Sequence, residues 1–163
     1  MRTLEWMRSN RSSRLPTRQA ADSSCSFARA TQGGADLQDL PLDAPHLGTA
    51  VTVADRVADL LTERARDLGV DAHGYGLLGA VVGGTVPASL GALRQRLPHA
   101  LLLVPGFGAQ GATANDVQAA FDVRGYGALI SASRSLTHLD GVDPPHEAAN
   151  AAAAMSAQLR AVR

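Results

Sequence analysis

Two short segments carry residue types that can hold an anion. Pro105-Gly-Phe-Gly-Ala-Gln-Gly111 follows the apolar run Ala100-Leu-Leu-Leu-Val104, and Ser131-Ala-Ser-Arg134 follows Gly127-Ala-Leu-Ile130. Glycines at 106, 108 and 111 let backbone come close to a ligand and let amides point at an anion. Gln110 both donates and accepts, so it can bridge two ligand groups. Arg134 offers phosphate a guanidinium fork, beside the amides of a following helical turn. Alone, a glycine-rich loop is often just a tight turn and an arginine is often just surface. Here the two segments lie one βα unit apart, the spacing that sets such loops side by side in a barrel.

Other chemistry is thin. Histidines 46, 73, 99, 138 and 146 show no metal-ligand spacing, and no serine has a matching histidine and acid. They read as structural or solvated. Cys25 stands alone, which excludes an intramolecular disulfide and a cysteine-rich zinc site. It reads as a buried or linker thiol rather than a nucleophile. The chain has no lysine: all 15 of its basic residues are arginine. With abundant alanine and glycine, that bias fits a GC-rich genome better than a function.

The elements that must position the two segments alternate. Ser26–Thr31 is a weak strand candidate, and residues 35–48, with Pro41 and Pro45, read as irregular. Residues 52–69 read as a helix, with Thr52 and Asp55 as cap and Val53, Val57, Leu60, Leu61, Ala65 and Leu68 at helical spacing. Its stripe Asp55, Asp59, Glu63, Asp67 reads as a solvated face. Leu77–Val82 is a strand ending in Gly83-Gly-Thr85, and Pro87 opens a helix with Val86, Leu90, Leu93 and Leu97 inward. Ala100–Val104 is so continuously apolar that burial on both faces is expected, as in a parallel sheet. Thr113 caps a short helix, Gly127–Ile130 is the fourth strand, and a last helix starts at Asp143-Pro-Pro145, with Met155, Leu159 and Val162 inward. Four strand candidates, each followed by helix, predict a parallel α/β layout with ligands at the carboxyl ends of the strands. The βα pattern recurs, but no strong internal sequence repeat stands out.

At 163 residues the chain is long enough for one domain with a real core. Its net charge of zero gives no field that would draw nucleic acid or an anionic membrane, and no apolar run is long enough to span a bilayer. Neither nucleic acid nor membrane is an expected partner, and a reducing cytoplasm is the expected compartment. Residues 1–24 are rich in arginine and serine and poor in acid. That is the look of a transit peptide, but no periodic apolar face supports a functional helix, so a disordered or non-family tail is expected, with the domain proper at 25–163.

In these residues the chain resembles orotidine 5′-phosphate decarboxylase, specifically the bacterial branch with a Pro-Gly-x-Gly-Ala-Gln-Gly signature. Thr31 with Gly33-Gly-Ala-Asp-Leu-Gln-Asp-Leu40 is similar to the loop after the family's fifth strand, and Gly74–Pro87 to its sixth strand and loop. Val104–Thr113 resembles the seventh unit and Ile130–Arg134 the eighth. The resemblance implies the C-terminal half of a (β/α)8 TIM barrel, about four βα units. It implies Gln110 on pyrimidine and phosphate, Arg134 on phosphate, Pro105 lining the base pocket and Thr31 at the pyrimidine edge. The family's usual Thr-Ser-Asn-Pro reads Thr31-Gln-Gly-Gly34 here, and its usual Gly-Ala-Thr reads Gly83-Gly-Thr85.

The family's activity converts orotidine 5′-phosphate (OMP) to uridine 5′-phosphate (UMP) in pyrimidine biosynthesis, with no metal or organic cofactor. It relies on an Asp-x-Lys-x-x-Asp motif, which is absent here. No catalytic residue is therefore assigned, and the isolated chain is expected to be an inactive fragment. The expected ligand is OMP or UMP. The alternative reading is a non-catalytic phosphate-binding half-barrel that assembles with a second copy or a separate first half. Another phosphate-binding barrel enzyme, such as an epimerase, fits less well, because the Gln110 loop and the Gly74–Pro87 segment match one family in order.

Overall fold

The computed structural model describes residues 24–27, 34–43, 46, 48, 51–137 and 143–162. The expected tail at 1–24 lies almost wholly outside them, as does Thr31. In chain order the elements are β1 (Ser24–Phe27), α1 (Ala35–Gln38), α2 (Val53–Arg66), β2 (Gly79–Val82), α3 (Pro87–Arg96), β3 (Leu101–Pro105), α4 (Ala114–Val117), β4 (Ala128–Ser131), α5 (Arg134–Thr137) and α6 (Pro144–Ala161). The strands form one sheet in the order β1-β2-β3-β4, parallel throughout. Ser24 pairs with Gly79, Val81 with Leu103 and Val104 with Ile130.

Local chemistry sets the helix starts. The Thr52 hydroxyl accepts the Asp55 amide at 3.2 Å, and the Asp55 carboxylate accepts the Thr52 amide at 3.1 Å, a reciprocal cap for α2. Thr113 and Asp116 build the same box for α4. Its hydrogen bonds from the Thr113 side chain, then from the Thr113 backbone, hold the Asp116 carboxyl below its ordinary range. Pro87 occupies the first turn of α3, where its missing amide costs nothing.

The core lies between the helices and one face of the sheet. Ala80, Val82, Leu102 and Val104 point into it, met by Leu90, Leu93, Leu97, Val117 and Ala120. Met155 and Leu159 of α6 pack at its margin. The acidic stripe of α2 is not simply solvated. Asp55 and Asp59 both pair with Arg96 of α3, at 2.9 and 3.0 Å, and Thr62 donates to the Arg96 carbonyl at 2.9 Å.

Two expectations change. β3 is buried on one face only: Leu102 and Val104 are inaccessible, whereas Leu101 and Leu103 are each 42% exposed. Beside them Leu129 of β4 is 60% exposed. The helices cover one side of the sheet, and no described element covers the other. Residues 35–38 form a helical turn rather than irregular chain, because Pro41 and Pro45 both fall beyond it.

The turns leading into β2 and β4 repeat. Asp71-Ala-His-Gly-Tyr-Gly76 and Asp122-Val-Arg-Gly-Tyr-Gly127 share the pattern Asp-x-x-Gly-Tyr-Gly. In the first, Asp71 Oδ1 accepts the amides of His73 and Tyr75, both at 2.9 Å. In the second, Asp122 Oδ1 accepts those of Arg124 and Tyr126, at 2.8 and 2.9 Å. Each aspartate amide also donates to the tyrosine carbonyl of its own turn, at 2.8 Å in both cases. This internal repeat, absent from the periodicity reading, becomes plain once the hydrogen bonds are seen.

Candidate functional site

The glycine-rich loop leaves the carboxyl end of β3 at Pro105. Gly106 has φ +111° and Gly108 has φ +71°, backbone that a side chain would strain. Space is short as well: a Cβ at Gly106 would lie 3.2 Å from Gln110 Oε1, and one at Gly108 would lie 3.2 Å from Ser135 Oγ. Gln110 thus folds back over the start of its own loop, and the loop rests on α5.

The amides of this loop do not all face outward, as the sequence led one to expect. Gly108 donates to the Ala112 carbonyl at 2.9 Å, Gly111 to Gly108 at 2.8 Å and Ala112 to Gly106 at 3.1 Å. These three amides hold the loop's shape. On the β2 side, the Gly84 amide donates to the Pro105 carbonyl at 2.9 Å and ties the Gly83-Gly-Thr85 loop to the root of the glycine loop. Thr85 sits over Gly106, its Cγ2 3.5 Å from where a Cβ would be. Sequence reading passed over Thr85 and Ser135; their positions after β2 and β4 were the available signal.

The structure brings three of the four expected ligand residues together. Pro105, Gln110 and Arg134 line one cleft of about 60 Å³, with Gly106, Phe107 and Ser133. Arg134 is the only charged residue in its lining, and both it and Gln110 are exposed. Among the described residues neither side chain has a hydrogen-bonding partner. The cleft therefore has positive potential and free donors. At about 30 Å³ per water molecule, it has the scale of a small anion rather than of a whole nucleotide. Among the described residues, no group of three or more histidine, cysteine, aspartate or glutamate side chains is placed to hold a metal ion.

A larger groove of about 470 Å³ lies at the opposite end of the strands, walled by Leu61, Ala65, Leu78, Leu97 and Ala100. It is mostly apolar, and its histidine, His99, is already engaged through Nδ1 with the Gly74 carbonyl at 2.9 Å. In a parallel α/β sheet, ligands are bound at the carboxyl ends of the strands, so the smaller, charged cleft is the candidate site.

That opposite end holds a polar clamp which sequence reading also missed. The Tyr75 hydroxyl donates to Asp122 Oδ2 at 2.7 Å, and Arg124 Nη2 donates to the same oxygen at 2.8 Å. Arg124 also reaches the His73 carbonyl at 3.0 Å and stacks over the Tyr75 ring at 5.6 Å. Arg94, almost fully buried, donates to the carbonyls of Gly127 and Leu97. Burial pulls the Asp122 carboxyl upward, but hydrogen bonds from the Tyr126 amide, the Tyr75 hydroxyl and Arg124 outweigh it and hold the group well below the carboxylate range. Burial, then the bond to Asp122, push the Tyr75 hydroxyl up. The clamp braces the amino ends of the strands, away from the cleft.

No family model matches the chain. It is 49% identical over 104 residues to a protein named orotidine 5′-phosphate decarboxylase from Rhodopirellula baltica, a match covering 64% of this chain and 32% of that protein. A second protein of that name, from Deinococcus radiodurans, is 44% identical over 91 residues, covering 56% and 34%. The chain thus spans about a third of the length of these curated relatives. Among solved structures, Leishmania donovani OMP decarboxylase matches with TM-score 0.61 and 25% identity, over 84% of this chain and 47% of that one. Leishmania donovani UMP synthase matches with TM-score 0.63 and 28% identity, over 84% and 27%. The fold is accordingly the C-terminal half of a (β/α)8 barrel. Over the C-terminal part of their length, the chain is a homologue of proteins named orotidine 5′-phosphate decarboxylase.

Proposed function

We propose that this chain carries the phosphate-gripping part of an OMP decarboxylase site, of the branch with the Pro-Gly-x-Gly-Ala-Gln-Gly signature, and binds OMP or UMP. Arg134 holds the phosphate, Gln110 folds between phosphate and pyrimidine, Pro105 lines the base and Thr31 stands at its edge. The observation that carries the reading is the shared cleft of Gln110 and Arg134, with Arg134 as its single charge. The domain at 25–163 acts as one unit, and a role in pyrimidine biosynthesis places it in the cytoplasm.

Binding is tested by titrating UMP calorimetrically into the chain and into Arg134→Ala. A charge-assisted hydrogen bond to phosphate is worth about 1.5–3 kcal/mol, so affinity should fall roughly tenfold to 150-fold. Equal affinities would remove Arg134 from the site.

The chemical step is a separate matter. When the OMP carboxylate leaves as carbon dioxide, its electron pair stays on the ring carbon, which must then take a proton. The resemblance assigns that proton to a lysine, and these 163 residues contain none. Arginine is too weak an acid to substitute. Holding ground state and transition state equally gives no acceleration. The chain by itself should therefore not consume OMP at an enzymatic rate, which an absorbance assay reads directly. Turnover by a purified sample that disappears with Gln110→Ala would overturn this. The alternative, a nucleotide-binding half-barrel without catalysis, is favoured by the same absence of lysine and predicts the same binding result.

A further inference from the structure

We infer that Ser131 is a specificity-determining residue of the carboxyl-end cleft, its hydroxyl hydrogen-bonding the pyrimidine of a nucleotide whose phosphate is held by Arg134. Given the nucleotide-binding role proposed above, on which this assignment rests, Ser131 becomes the group that tells a pyrimidine nucleotide from a bare phosphate. Ser131 is the last residue of β4, and it lines the cleft together with Pro105, Gln110 and Arg134. In a (β/α)8 barrel, groups that read the ligand stand at the carboxyl ends of the strands.

Strand geometry gives Ser131 its direction. Side chains alternate along a strand, so Ala128 and Ile130 face one way and Leu129 and Ser131 the other. Ala128 and Ile130 pack against the core on the helix side. Ser131 therefore faces away from the helices, toward the axis of the barrel to which this fold belongs. On β3 the core residues are Leu102 and Val104, which puts Leu103 and Pro105 on the axis side as well. The register sets the neighbours. Val81 pairs with Leu103 and Leu103 with Leu129, and one layer nearer the carboxyl end Pro105 pairs with Ser131. Among these axis-side residues, Ser131 alone has a side chain that hydrogen-bonds. Arg134 lies further along, in the first turn of α5, beyond the strand. The cleft thus joins a cationic end to an axis-side end made of Pro105 and Ser131. Its volume of about 60 Å³ takes the anion, and the rest of a nucleotide extends across Pro105. A ring against the proline leaves its polar edge to Ser131. The hydroxyl both donates and accepts, so it suits a ring carbonyl or a ring N–H. Val81, Leu103 and Leu129, one layer below, offer that edge no competing hydrogen bond.

Calorimetric titration of the full chain with UMP, ribose 5-phosphate and inorganic phosphate tests this. Ser131→Ala should weaken UMP about two- to twelvefold, the range for one neutral hydrogen bond, and leave the other two ligands unchanged. Ser131→Thr keeps the hydroxyl and suits a strand, and should bind UMP as the parent does. Arg134→Ala should weaken all three ligands. Alanine at 131 removes no backbone hydrogen bond, and circular dichroism melts check that each variant is folded. Equal UMP affinity in Ser131→Ala and the parent would overturn the inference and leave the nucleotide-binding role standing. A loss shared equally with inorganic phosphate would make Ser131 an anion contact, and one shared with ribose 5-phosphate a sugar contact; either would overturn the pyrimidine assignment. A Ser131→Thr protein as weak as Ser131→Ala would overturn it too, by tying the loss to shape rather than to the hydroxyl. A parent chain that binds neither UMP nor phosphate would overturn the nucleotide-binding role itself, and this assignment with it.

Discussion

Gly84→Ala adds one methyl group at the junction between the core and the cleft. Gly84 does not have positive φ, so its backbone tolerates alanine. The space does not. A Cβ there would lie 2.9 Å from Val117 Cγ1, 3.1 Å from Val104 Cγ1 and 3.3 Å from the Pro105 carbonyl. Both valines are fully buried and have nowhere to swing. Overpacking of this kind costs about 1–3 kcal/mol. The loss of glycine freedom in the unfolded chain returns about 0.4–1 kcal/mol. The net expectation is a destabilisation of up to about 2.6 kcal/mol, or a drop in Tm of up to several degrees for a chain of this size. Because the Gly84 amide holds the Pro105 carbonyl, displacing Val104 and Pro105 also shifts the root of the Gln110 loop, and UMP affinity should fall in parallel. Val117→Ala alone should cost about 1.5–2.5 kcal/mol, from the buried carbon lost. It also vacates the volume that the new methyl needs. The double substitution should therefore be less damaging than the sum of the singles by about 1 kcal/mol or more. Denaturant unfolding of the four proteins measures the cycle. Additive effects, or a Gly84→Ala protein more stable than the parent, would refute the steric reasoning.

Two further substitutions test the frame. Asp122→Asn should destabilise the clamp at neutral pH by an amount that shrinks as the solution is acidified. The folded carboxyl titrates below its unfolded value of about 3.9, so its contribution is complete above that pH and is lost as pH falls toward the folded value. Thermal melts of both proteins at pH 7 and pH 3 measure the gap, and a constant gap would count against the shift. Thr52→Ala removes one half of the reciprocal cap on α2 and should cost about 1 kcal/mol in urea unfolding; no change would mean that Asp55 holds the helix end alone through the Thr52 amide.

Features fixed by local chemistry were legible in the sequence. Thr52 with Asp55, Pro87 and Thr113 mark helix starts that the structure places within a residue, because caps and proline act through neighbouring backbone. The pairing of Gln110 with Arg134 was also legible, since parallel βα units put successive loops on one rim. Features set by distant chain were not. The acidic stripe of α2 read as solvated because Arg96, its partner, is a tertiary neighbour. The run Ala100–Val104 read as buried on both faces because it is continuously apolar, as strands of a covered parallel sheet are, while the described chain covers only one face. The Asp-x-x-Gly-Tyr-Gly repeat was present in the letters but short and aperiodic, so no hydrophobic pattern drew attention to it.

The two ends of the sheet divide the work between them. At the amino ends, Tyr75, Asp122, Arg124 and Arg94 satisfy one another and the backbone, so that end stiffens the strands and offers a ligand little. At the carboxyl ends, the glycine loop braces itself through the amides of Gly108, Gly111 and Ala112 and leaves the side chains of Gln110 and Arg134 without a partner among the described residues. Free polar side chains on a self-bonded loop lose little further backbone freedom when they engage a ligand, so more of each hydrogen bond appears as affinity. Under the proposed phosphate-binding role, affinity should depend on the shape of the loop, through Gly84 and Gly108, as much as on the charge of Arg134.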